Sequence, residues 1–152
     1  MKILKRIFFL VIIISLGINI CSRAQSPGDR IKSKRIAYFT DKLQLTPDEA
    51  QKFWPVFNEY DQKKNAINAE KRKLTESFRN NYTNMSETEV DKTINILIKL
   101  SQQDTELFED YNKKFRTILS AQKVMKLYLA ETEFKVILLR ELKANTKSGI
   151  AD

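Results

Sequence analysis

The sequence predicts an all-α protein, with four helices built on one long, bent antiparallel hairpin. Three observations carry this. No glycine lies between residues 29 and 148, no proline follows Pro55, and no segment alternates apolar and polar residues as a half-buried strand does. Glycine and proline punctuate strands and turns. Their absence from most of the chain, amid abundant Lys, Glu, Leu and Ala, favours long helices.

The first residues read as an export segment outside this fold. Lys2, Lys5 and Arg6 precede an apolar run from Ile7 to Ile20, and Ser22-Arg23-Ala24 places small residues where a signal peptidase cuts. Residues 1–24 are therefore expected to be a removed signal peptide. The run of 14 residues is short beside the roughly 20 of a membrane span, so an uncleaved anchor is the weaker alternative. Cys21 ends the run as an acylated lipoprotein cysteine would. Ile20, however, stands where such a cleavage site needs a small residue, so Cys21 is expected to leave with the leader.

Residues 25–145 then form a single helical domain, and 146–152 a disordered tail. Cleavage leaves 128 of the 152 residues, enough for one core. It also removes four cations and no acid, reducing 27 Lys and Arg to 23 against 19 Asp and Glu. Net charge falls from +8 to +4, which takes away the main support for nucleic-acid binding. No Cys or His remains after residue 24, so a disulfide is excluded there.

The first helix runs from about Asp29 to Leu43, with Ile36, Phe39 and Leu43 on one side. The second opens at Thr46 and reaches about Asn80. Thr46-Pro47-Asp48-Glu49 is a capping box with proline at the first helical position, where its missing N–H is harmless. Pro55, in the interior, removes the partner of the Gln51 carbonyl and predicts a bend. A second capping box, Ser86 with Glu89, opens a helix to about Leu119; the fourth follows from Ser120 to about Leu142.

The second and third helices carry matching stripes. Positions 53, 57, 60, 64, 67, 71, 74 and 78 face positions 90, 94, 97, 101, 104, 108, 111, 115 and 118, both in steps of four and three. A symmetric turn between Asn80 and Ser86 pairs Phe53 with Phe115, Phe57 with Tyr111, Tyr60 with Phe108 and Lys64 with Asp104. Trp54 points away from this stripe. Packing under the first helix is its favoured reading, and an exposed partner anchor is the alternative.

Chemistry has little to work with. After residue 24 there is no imidazole or thiolate for a metal, no His to activate a nucleophile and no glycine loop for phosphate. Asp104, Glu106, Glu109 and Asp110 look like helix-surface charge. A non-enzyme without cofactor or metal is expected. Asn81-Tyr82-Thr83 and Asn84-Met85-Ser86 match the glycosylation sequon, which matters only in a eukaryotic secretory pathway. Lys63, Lys64, Lys71, Arg72 and Lys73, with Lys113, Lys114 and Arg116, form either a solvated face or a positive surface for an acidic or unfolded partner. On the second reading Lys63, Lys71, Arg72 and Arg116 edge a binding groove.

The helix starts carry a resemblance. Leu45-Thr46-Pro47-Asp48-Glu49, followed by Ala50-Gln51-Lys52-Phe53-Trp54-Pro55, resembles the Spy/CpxP group of bacterial envelope-stress proteins, the LTXXQ family. Leu119-Ser120-Ala121-Gln122 is a weaker second copy. Glu49 stands where the first motif has Gln, and the second copy has Ser for Thr and is one residue short. The wording around Phe53 is particularly similar to Bacteroidetes members described as sensors of ECF-type sigma factors. The resemblance implies a periplasmic, cradle-shaped homodimer that holds unfolded or partner envelope proteins weakly, as an ATP-independent chaperone or a stress-sensing adaptor. Relatives that sense metals use His ligands absent here, so metal sensing is not implied. The alternative is a passive helical module for one specific envelope partner, in an ECF sigma and anti-sigma pathway.

Overall fold

A computed structural model describes residues 26–148. The signal peptide, with Cys21, and residues 149–152 of the expected tail lie outside the described residues. The protein is all-α. Helix α1 spans Pro27–Leu43, α2 Pro47–Asn81, α3 Glu87–Arg116 and α4 Ala121–Ser148, with a 3-10 turn at Tyr82–Asn84 joining α2 to α3. The chain divides into two compact units, Met1–Lys34 and Arg35–Asp152. In the first, Ser26 and Asp29 cap the start of α1 reciprocally, Asp29 N donating to Ser26 Oγ while Ser26 donates to the Asp29 carboxylate. The core lies in the second.

Local chemistry sets most helix ends. α1 closes on Gln44, whose φ of 50° is left-handed. Leu45 N donates to Thr40 O and Gln44 N to Asp41 O, the paired bonds of a Schellman stop made without glycine. Two residues later both halves of the Thr46–Glu49 capping box are present, and the Ser86–Glu89 box opens α3 in the same way. α2 continues through Pro55, which is exposed. The Gln51 carbonyl that Pro55 leaves unpaired thus lies on the outer face, where water can satisfy it. α3 ends at Arg116, three residues before the expected Leu119, because Thr117 and Ile118 wind into tighter bonds to Lys114 and Phe115, with Leu119 also donating to the Phe115 carbonyl. α4 runs to Ser148, past the expected Leu142.

α2 and α3 are antiparallel, and the register is partly the expected one. Phe53 faces Phe115, with ring centroids 5.7 Å apart. Further along the pairs differ: Phe57 packs on Phe115 at 6.4 Å, Tyr60 on Tyr111 at 5.4 Å, and Phe108 turns to Tyr128 of α4 at 4.8 Å. Lys64 does not meet Asp104. Its Nζ reaches the Tyr60 hydroxyl at 2.8 Å and Glu131 of α4 at 3.3 Å, while Asp104 pairs with Lys71 at 3.4 Å. The symmetric register treated the hairpin as two helices alone. α4 brings a carboxylate beside Lys64, and Asp104 is left to the next lysine along α2.

The core is an aromatic cluster at one end of the hairpin. Phe39 and Leu43 of α1, Phe53, Phe57 and Tyr60 of α2, Tyr111 and Phe115 of α3, Leu119, and Val124, Leu127, Ala130 and Phe134 of α4 are its buried members. Rings dominate it, each burying about 150–250 Å² of surface. From residue 61 to 110 no residue is buried. α4 still reaches Lys64 and Phe108 and lines a cleft with Asn68, but around Leu74, Phe78, Val90 and Ile94 the groove is lined by α2 and α3 alone among the described residues.

Candidate functional site

The two motif copies lie side by side at the core end. Lys123, next after Ala121-Gln122, donates its Nζ to the Gln44 carbonyl at 2.8 Å and to Glu49 Oε2 at 2.6 Å. The same Glu49 oxygen accepts from the Thr46 amide at 2.9 Å. Ser120 caps α4 through Lys123 N at 3.3 Å. Lys123 first, and the Thr46 amide next, hold the Glu49 carboxyl below the usual range. Leu45 and Leu119 pack on or in the core below. Thr46, Ser120 and Gln122 are exposed. This pole is architecture: each motif starts a helix, and Lys123 ties one start to the other. Sequence reasoning missed Lys123, because only the fold places it there.

Trp54 takes the favoured reading. It is half-buried, stacks on Phe39 at 6.4 Å and meets Phe53 and Phe57 edge-on at 5.1 and 5.7 Å. Its role is packing between α1 and α2.

The proposed basic rim does not assemble. At 100° per residue Lys63 and Arg72 project from opposite faces of α2. Lys63 pairs with Glu59 at 2.8 Å, a bond that raises its pKa to about 12 with help from Tyr111, and Lys71 is held by Asp104. Arg116 stands in the last turn of α3 beside Lys113 and Lys114, where cations suit the helix dipole. It lies roughly 18 Å along the helix from Asp104, the partner of Lys71. Charge is distributed differently from that expectation. Between residues 62 and 110, α2 carries six Lys and Arg against two acids, while α3 carries two against seven. The two bare helices attract each other and nearly cancel.

The distal seam is apolar. A groove of about 240 Å³ between α2 and α3 is lined by Leu74, Phe78, Val90, Thr93, Ile94 and Leu97. On the flank of α3 a wider trough of about 430 Å³ runs past Ile94, Ile98, Ser101 and Thr105. Phe78, Ile94, Ile96, Ile98 and Phe108 are each more than 40 % exposed. The run Ile94-Asn95-Ile96-Leu97-Ile98 held the signal for this: its apolar residues face several sides of α3, more than a single stripe requires. A cleft among α1, α2 and α4 is lined by Phe39, Phe134 and Leu138 together with the Arg35–Asp61 and Lys64–Glu131 pairs, each neutral within itself. Among the described residues no group of three or more His, Cys, Asp or Glu could hold a metal ion, and no helix is long and apolar enough to cross a membrane. Compared with family models, curated proteins and solved structures, the chain matches none.

Proposed function

We propose that this is a periplasmic Spy/CpxP-like protein that binds unfolded or partner envelope proteins without ATP, as a chaperone or stress-sensing adaptor. The observation that carries the reading is the uncovered apolar seam of the distal hairpin, held out by a packed aromatic base. Several half-exposed Ile and Phe side chains, none of them in a deep pocket, suit weak contact with extended apolar segments. Weak binding serves such a role, since a client must leave to fold. Affinity in the micromolar range, about −8 kcal/mol, is expected. The groove at Leu74 and Phe78 and the trough at Ile98 and Thr105 are two openings, so the homodimer implied by the resemblance can cover one and leave the other to a client. Near-cancellation of charge in this half makes apolar contact, more than a basic rim, the source of capture.

The test is aggregation of an unrelated, chemically denatured client, followed by light scattering with and without the protein. Wild type is expected to suppress it, and Ile94→Ser with Ile98→Ser to lose most of that effect while keeping helicity. A wild type that suppresses nothing removes the chaperone reading and leaves the adaptor. Arg72→Glu should matter little; if it abolishes capture while the isoleucine variant retains it, the seam is the wrong surface.

A further inference from the structure

α4 has a second apolar face, away from the core and separate from the distal seam. Met125, Leu129, Val136 and Leu139 are 57, 52, 42 and 57 % exposed. With Thr132 they recur in steps of four, three, four and three, within about 80° of one another and centred about 160° from the face that carries Val124, Leu127 and Phe134 into the core. A stripe so narrow and so spaced is a coiled-coil seam about 21 Å long; a face for lipid is wider. Its edges are basic. Lys126 and Arg140 flank one side, Lys135 the other, and Lys143 continues the line. None of these four makes an ion pair among the described residues. The single acid on the edge, Glu133, is already engaged by Lys42 and the Tyr38 hydroxyl.

Those charges select the occupant. Two copies paired antiparallel through the seam would set Lys126 against Arg140 and Glu133 against itself. A parallel pair would set Lys135 against Arg140. Both arrangements repel. We propose that the outward face of α4 docks an amphipathic helix of another protein, with apolar a and d positions and acidic residues flanking them. This goes beyond client capture, because it uses a different surface and asks for a folded, charge-matched partner instead of an unfolded one.

The probe is a synthetic peptide of four heptads with Ile and Leu at a and d and Glu at e and g, soluble as a single chain because its own flanks repel. A second peptide carries Lys at e and g. Binding of each to the purified protein is read by fluorescence anisotropy. The acidic peptide is expected to bind at least tenfold tighter than the basic one, and Leu129→Glu with Leu139→Glu to abolish binding. The charge reversal Lys126→Glu, Lys135→Glu and Arg140→Glu should invert the preference. All five sites are exposed, so unchanged circular dichroism and Tm serve as the folding control. Equal binding of the two peptides, or none at 100 μM, overturns the proposal. So does self-association of the wild type that the leucine variant abolishes, or binding to vesicles of anionic phospholipid that replaces peptide binding. Client suppression is measured on the same variants: its loss in wild type would sink the chaperone reading without touching this one.

Discussion

The two halves of the hairpin are made from the same two helices and the same heptad spacing, yet only one has a core. At the base, α1 and α4 close over α2 and α3, and twelve residues are buried. At the tip the same stripe is continued by Leu74, Phe78, Val90 and Ile94 without a covering layer, and none of them is buried. The difference teaches that a heptad stripe supplies a partner surface, not a core. Two helices hide one side of each seam residue, and a third and fourth are needed to hide the rest. The base is therefore where stability resides, and the tip is where surface is kept available.

The largest expected effect breaks the base and spares the tip. Phe57 touches the rings of Phe39, Phe53, Trp54, Tyr60 and Phe115. Phe57→Ala should cost about 3–5 kcal/mol in urea unfolding, whereas Ile98→Ala should stay within about 0.5 kcal/mol. Equal losses would mean that the tip is packed after all. The boundary between the halves is sharpened by Lys64. With side chains 22 and 15 % exposed, the Lys64–Glu131 pair lies between surface and buried cases. Burial opposes the Lys64 charge, but the Tyr60 hydroxyl and Glu131 outweigh it and raise the pKa. Lys64→Ala should cost about 1–2 kcal/mol. A double-mutant cycle should show coupling to Glu131 and none to Asp104.

Acid should weaken both halves through their helix starts. Glu49 at the base and Glu89 at the tip have pKa values lowered in the folded state, by Lys123 and Thr46 in one case and by Ser86 in the other. A depressed carboxylate contributes stability that is present above its unfolded pKa of about 4.3 and is lost as pH falls through the folded value. Tm should therefore decline below about pH 4.3. In Glu49→Gln, whose amide oxygen can still accept from Thr46, that decline should be shallower; an unchanged slope would remove the Lys123 bond from the account. The smallest effect concerns Tyr111, whose buried hydroxyl lies close enough to Lys63 and Glu59 to shift their pKa values but meets neither at good hydrogen-bonding geometry. Tyr111→Phe should change stability by less than about 0.5 kcal/mol, since no bond is lost.

What the sequence revealed followed the range of each interaction. Both capping boxes were legible because their partners are three residues apart, and Phe53 with Phe115 was legible because a heptad seam fixes that pair once the turn is placed. The partner of Lys64 was not, since it depends on a helix whose docking no local pattern states. Gln44 gave no sign of a left-handed stop, because glycine is the usual mark and is absent there. The basic rim failed for a related reason. Spacing placed Lys63, Lys71, Arg72 and Arg116 near one another along the chain or across the hairpin, while helix phase and nearby carboxylates decided where their charges went.

Sequence separation orders the assembly of this molecule. The bond from Lys123 to Glu49 closes 74 residues, and Phe53 reaches Phe115 only across the whole hairpin, whereas Tyr128 bonds Asn112 across 16. Closing a long loop costs entropy before its contacts repay anything, and zipping from the tip gains little because the tip buries little. The corner between α3 and α4 is therefore expected to form first, around Phe115, Leu119 and Leu127, with α2 condensing onto it. Substitutions at that corner should slow folding, while those that loosen α1 should chiefly hasten unfolding.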